Sequence, residues 1–117
     1  MVDYDGSLQS ARAIQMFLML RVWAHCETTI MTVSDDPTDG DGLLAAMQEY
    51  FASYAVEAAV VRAEGRPSDA ILDQVQRTGA DLLVMGAYGQ KRLASFFLGS
   101  TTKAVVEDAG IPVFLYH

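Results

Sequence analysis

Apolar residues Ala11, Ile14, Phe17, Leu18 and Val22 recur at three- and four-residue steps, the spacing that places one face of a helix against a core. The pattern predicts a helix from Leu8 to about Ala24. Ser7 can cap its start, and Gly6 permits the tight turn before it. Met1 to Tyr4 is a very short extended stub ahead of Asp5-Gly6-Ser7. Thr28 to Val33 is rich in β-branched residues and reads as a strand, followed by a polar, glycine-bearing loop from Asp35 to Gly42. Leu44, Met47, Tyr50, Phe51 and Tyr54 mark a second helix from Leu43 to about Tyr54, and Ala58 to Ala63 forms the next strand. Beyond Glu64-Gly65-Arg66-Pro67, Pro67 suits a first helical turn, Ile71, Leu72 and Val75 supply the apolar stripe, and Gly79 stops the helix. Asp81 to Met85 reads as a continuously buried strand. A glycine-bearing segment follows, then a helix from Thr101 to Asp108 and a closing strand from Ile111 to Tyr116.

Strands alternating with helices imply an α/β fold with a doubly wound parallel sheet, right-handed crossovers and helices on both faces. Ligands of such sheets sit beyond the carboxyl ends of the strands where strand order reverses. The residues after Tyr4, Val33 and Met85 are therefore the ones to watch. The 117 residues form a single domain, 1–117, on a prior of about 150 residues per domain. Eight basic against fifteen acidic residues give a net charge of −7, which disfavours nucleic acid as a partner, because polyanion binding needs clustered Lys and Arg. A small anion is not excluded, since a few oriented backbone N–H groups bind phosphate locally. One cysteine, Cys26, allows neither an intrachain disulfide nor a thiol pair and is expected to pack as a small apolar side chain. The apolar runs fall short of a membrane span. A soluble, cytoplasmic protein is the expectation.

The candidate chemistry lies after the fourth strand, where Gly86-Ala87-Tyr88-Gly89 is followed by nine residues and then Gly99-Ser100-Thr101-Thr102 at a helix start. Glycines admit a phosphate without an intervening Cβ, and the free N–H groups and positive dipole end of a helix attract negative charge. Ser100 and Thr101 add hydroxyls, and Lys91 and Arg92 lie in the intervening segment.

This G-x2-G-x9-G-S-T arrangement resembles the nucleotide-binding signature of the universal stress protein family. The resemblance extends to Asp5-Gly6-Ser7, Glu64-Gly65-Arg66-Pro67, Ala80 to Gly86 and Ile111-Pro112-Val113. It implies a five-stranded sheet in the order 3-2-1-4-5, with ATP, or ADP or AMP, bound across the switch point. Asp5 would accept hydrogen bonds from ribose hydroxyls, Val33 would lie beside adenine and Met85 would flank the ring. Gly86 and Gly89 would line the phosphate path, and Gly99, Ser100 and Thr101 would hold the phosphates. Magnesium would be bound through phosphate oxygens and water. The resemblance also implies a homodimer, or a tandem pairing, through the last strand. The sequence departs from the family in two places. Only four residues precede Asp5, one of them Asp3, so the central strand is expected to be short. The acidic connection from Asp35 to Gly42 is expected near the pocket mouth, where it would oppose phosphate.

Other readings are weaker. Gly40-Asp41-Gly42 fits a loose dinucleotide fingerprint but starts well past its strand, and a calcium loop from Asp35 lacks the required glutamate at its twelfth position, Ala46. His25 and His117, the two histidines, are poorly placed for a metal site or a catalytic relay. Tyr50, Phe51, Tyr54, Phe96 and Phe97 read as packing residues. No catalytic residue is assigned. Hydrolysis, if any, is expected to be slow, because no water-positioning base is evident. The functional expectation is an adenine-nucleotide-binding domain with a regulatory or stress-response role. The alternative is a dimerising interaction module on the same fold that binds no nucleotide.

Overall fold

The computed structural model describes residues 1–21, 23–87 and 99–117. Its centre is a five-stranded parallel sheet in the order β3-β2-β1-β4-β5. The strands are β1 (Val2–Asp3), β2 (Thr28–Val33), β3 (Ala58–Ala63), β4 (Leu83–Gly86) and β5 (Val113–Tyr116). They alternate with α1 (Leu8–Met19), α2 (Pro37–Ser53), α3 (Pro67–Thr78) and α4 (Ser100–Asp108). The doubly wound order expected from the alternation and the family resemblance is the order found. The central strand is as short as expected, yet it is tied on both sides. Val2 and Asp3 stand level with Ile30 and Met31 of β2, and Val2 stands level with Val84 of β4. The Tyr4 amide donates to the Met31 carbonyl at 2.9 Å, and the Val84 amide to that of Met1 at 2.9 Å.

Alternation along the strands separates two apolar layers. Val2, Ile30 and Val84 pack against Ala13, Ile14, Phe17 and Leu18 of α1 and Leu44 and Phe51 of α2. Met31, Leu83 and Met85 point the other way, against Ile71 and Val75 of α3 and Val105 of α4. Tyr50 and Tyr54 lie edge to face with centroids 5.5 Å apart and pack against the first layer; Phe96 and Phe97 lie outside the described residues.

Three local expectations are corrected. The helix α2 begins at Pro37, not Leu43, so most of the acidic segment expected as a loop is helical. Asp36 caps it, its carboxylate accepting from the amides of Thr38 (2.9 Å) and Asp39 (3.4 Å). This cap, with Pro37 in the first turn, overrides the weak helix propensity of Gly40 and Gly42. In turn Gly40 is needed, because a Cβ there would stand 2.6 Å from Cδ of Arg62. The helix α1 ends at Met19, short of Ala24. Arg21 and His25 take positive φ (55° and 71°), and the Trp23 indole N–H donates to the Leu18 carbonyl at 2.9 Å, satisfying an acceptor of the helix end. Val22 lies outside the described residues. Cys26, expected to be packed, is exposed, because it falls in the turn leading to β2 and not on the strand.

Candidate functional site

Each crossover helix runs back against the strands, so the helix starts gather at the carboxyl edge of the sheet. Strand order reverses between β1 and β4. The residues leaving those two strands, together with the starts of α1 and α4, frame the candidate site.

On one side the chain closes on itself. Oδ1 of Asp5 accepts from the Ser7 amide at 2.9 Å and the Ser10 hydroxyl at 2.7 Å. The Ser7 hydroxyl in turn accepts from the Ser10 amide at 3.1 Å, the cap of α1. The turn is made possible by Gly6 at φ 78°. Thus the sequence Asp5-Gly6-Ser7 fixes a half-buried carboxylate at the mouth of the central strand. Gly86 completes this side. A Cβ on it would stand 2.5 Å from the backbone nitrogen of Ser10 and 2.8 Å from the Gln9 carbonyl carbon. Close approach of α1 to β4 is thus by itself a reason for glycine at this position, independent of any ligand.

The other side is built differently. The helix α4 starts at an N-cap glycine, Gly99, that carries no side-chain capping hydrogen bond. Ser100 and Thr101, which could have been caps, instead lie inside the first turn. Thr102 beside them is buried. Val105 of α4 packs on Met31 and Met85, which anchors the helix to the sheet face that carries those two residues. Met85 belongs to that buried layer, with half-buried Val33 packed against it. Asp5 and Val33 each lie two residues beyond the paired Asp3 and Met31. Gly89, with Lys91 and Arg92, falls outside the described residues.

Asp3 is the residue whose importance the sequence reading missed. It is 7% exposed and faces the Met31 side of the sheet. It stands level with Met31 and, one step on from the Val2–Val84 pair, with Met85. Those neighbours are themselves level with Val61 and Leu115. The carboxyl therefore sits in the middle of a row that is otherwise apolar. Burial, with a smaller contribution from the Asp5 charge, pushes its pKa up to about 7. A charged residue inside a strand that a doubly wound fold buries on both faces was the available signal.

The acidic segment is tied into the fold by its own hydrogen bonds. Asp36 is spent on the α2 cap, and Oδ1 of Asp35 accepts from the Gly65 amide at 3.0 Å, joining the loops after β2 and β3. Arg62 closes the same corner, donating to the Ser34 carbonyl at 2.9 Å and to Glu64 at 2.8 Å. A shallow groove between α1 and β5, lined by Arg12, Gln15, Met16, Tyr116 and His117, involves none of the site residues. Among the described residues no three His, Cys, Asp or Glu side chains converge as metal ligands, and no helix is long and apolar enough to cross a membrane.

The profile of the universal stress protein family matches residues 1–117. The chain belongs to the universal stress protein family. A universal stress protein of Synechocystis sp. is 27% identical over 116 residues, a match that covers 97% of this chain and 40% of the relative. A universal stress protein of Archaeoglobus fulgidus superposes with a TM-score of 0.81 at 29% identity, covering 98% of this chain and 43% of that one. The chain thus spans less than half the length of these two members. A member from Arabidopsis thaliana solved with AMP bound matches with a TM-score of 0.76 at 21% identity, covering 98% of this chain and 88% of that one. A member solved in complex with cAMP gives 0.72 at 23% identity, over 99% and 94%. These last two share the fold.

Proposed function

We propose that the carboxyl edge of this sheet, between β1 and β4, binds an adenine nucleotide and that the domain acts as a nucleotide-responsive regulatory module. The observation that carries the reading is the start of α4. A helix that begins on Gly99 without a side-chain cap, at the switch point of a doubly wound sheet, offers its first-turn amides and dipole to an anion. The AMP and cAMP complexes of two structural neighbours support adenine as the base. The residues fit such a ligand: Asp5 is a fixed carboxylate able to accept from ribose hydroxyls, and half-buried Val33 offers apolar surface beside the base, with buried Met85 behind it in the core. Gly86, Gly89, Gly99, Ser100 and Thr101 would follow the phosphates. With ATP, magnesium would be held through phosphate oxygens and water. Turnover would be slow, for no described residue is placed as a base.

Calorimetric titration of the chain with AMP, cAMP and MgATP tests this. Binding of at least one at micromolar to millimolar concentration, with a matching rise in thermal midpoint, is expected. No heat and no thermal shift with any of the three overturns it. A homodimer through β5 is proposed alongside, because that strand ends the sheet and carries half-buried Val113, Phe114 and Leu115 and exposed Tyr116 to an open edge. Sedimentation velocity with and without nucleotide reads it.

A further inference from the structure

A site built to hold an anion has a carboxyl group beneath it. Asp3 lies on the same sheet face as the α4 contact, flanked by Met31 and Met85 and one row below the level of Val33 and Asp5. Its side chain is more than nine-tenths buried, and among the described residues none donates a hydrogen bond to it. The elements packed on that face present Met31 and Val33 from β2, Met85 from β4, Ile71 and Val75 from α3 and Val105 from α4. None of these titrates. Asp5, on its own strand end, is the charged group whose field reaches it. Asp69 and Asp73 of α3 and Lys103 of α4 are exposed to solvent.

We propose that this pocket takes up its anionic ligand together with a proton on Asp3, so that occupancy is coupled to pH in the neutral range. The proposal rests on the nucleotide reading above and adds a regulatory input to the same site. A ligand seated over the mouth removes the remaining water from Asp3 and brings further negative charge towards it, and both effects favour the neutral carboxyl. By linkage, whatever raises the proton affinity of Asp3 on binding makes ligand affinity fall as pH rises above the free-state titration. The existing buried position supplies the other half of the device. Burial already holds the carboxyl near neutrality, where small changes of pH alter its charge.

The test is the Kd for AMP between pH 7 and pH 9, a range in which a phosphate monoester with its second pKa near ~6 is already a dianion. The wild-type Kd is expected to rise by roughly fivefold to tenfold per pH unit, and that of Asp3→Asn by less than about twofold. Calorimetry at pH 8 in buffers of different ionisation enthalpy is expected to show close to one proton taken up per AMP bound by the wild type, a readout that stands even if Asp3→Asn fails to fold. A wild-type Kd that is flat, that tightens with pH, or that has the same slope in Asp3→Asn overturns the proposal while leaving nucleotide binding intact. So does the absence of proton uptake. Failure of the wild type to bind AMP at every pH overturns the nucleotide reading for AMP, and this proposal falls with it.

Discussion

Two helices begin on opposite faces of the sheet beside the same pair of strands, and they begin in opposite ways. The start of α1 is satisfied by its own neighbours: Ser7 caps it, Asp5 holds Ser7 and Ser10, and Gly86 lets β4 press against its backbone. The start of α4 has a glycine where a capping side chain would be, and on its face of the sheet lies Asp3, to which no described residue donates. A carboxyl held among apolar side chains is costly to ionise. The difference separates a helix start closed by its own side chains from one whose first turn has no side-chain cap.

The largest effect expected on this contrast comes from the unfinished side. The pKa of Asp3 in the fold, about 7, lies above its ordinary value of 3.8. Below about pH 4 the carboxyl is neutral folded or unfolded and imposes no penalty. As pH rises from there to about 7 the unfolded chain ionises first, and stability is lost across that window. Above it the penalty is constant, on the order of 4 kcal/mol. Asp3→Asn removes this dependence while keeping the shape. Urea denaturation of both proteins from pH 4 to pH 8 should therefore show the variant gaining several kcal/mol on the wild type, whatever its offset at pH 4. Parallel curves would mean that Asp3 is hydrated and that the two faces do not differ as described.

The finished side is tested by Gly86→Ala. The added methyl would stand 2.5 Å from the Ser10 nitrogen, a backbone atom that can retreat only by moving the first turn of α1. A loss of about 3 kcal/mol is expected, the upper range for overpacking a close contact, read as a lower urea midpoint with unchanged slope. A loss below about 0.5 kcal/mol would show that α1 backs away freely, and glycine at 86 would then need a ligand to explain it.

Much of this contrast was legible in the sequence, for reasons that also mark the limits. Asp5-Gly6-Ser7 announces a turn and a cap within three residues, and the strands at Thr28–Val33 and Ala58–Ala63 and the helix from Pro67 to Gly79 carry their own local signals. Asp36-Pro37 was as clear a helix start, but Gly40 and Gly42 obscured it. Glycine there meets a tertiary demand, the passage of Arg62, which no local pattern encodes. The end of α1 was invisible because residues with positive φ at Arg21 and His25 are not glycines. Asp3 was misjudged for a related reason. A single charge in a two-residue strand looks like a weak strand until pairing on both sides shows that it lies in the middle of the sheet. The glycine spacing, by contrast, is a property of the sequence itself, and the helix start it anticipated at Thr101 falls at Ser100. Whether Gly86 serves the ligand or the packing of α1 depends on a distance between two elements that the sequence leaves open.

The smallest effect on stability, and the sharpest on the contrast, belongs to Gly99→Asp. A carboxylate at the N-cap of α4 accepts from the amides of the first turn, as Asp36 does for α2, and so gives α4 the finish that α1 already has. Exchange of glycine for a good capping residue should raise stability by only a few tenths of a kcal/mol. The same amides are then engaged, and a fixed negative charge occupies the dipole end. AMP affinity should fall by about tenfold or more, equivalent to about 1.4 kcal/mol, while the Asp3-dependent slope of stability with pH is retained. Equal or tighter AMP binding in this variant would remove the start of α4 as the anion seat, because two groups cannot accept from one N–H in the same geometry. A stabilised variant that has lost its nucleotide would show that the missing cap is the reason the site exists.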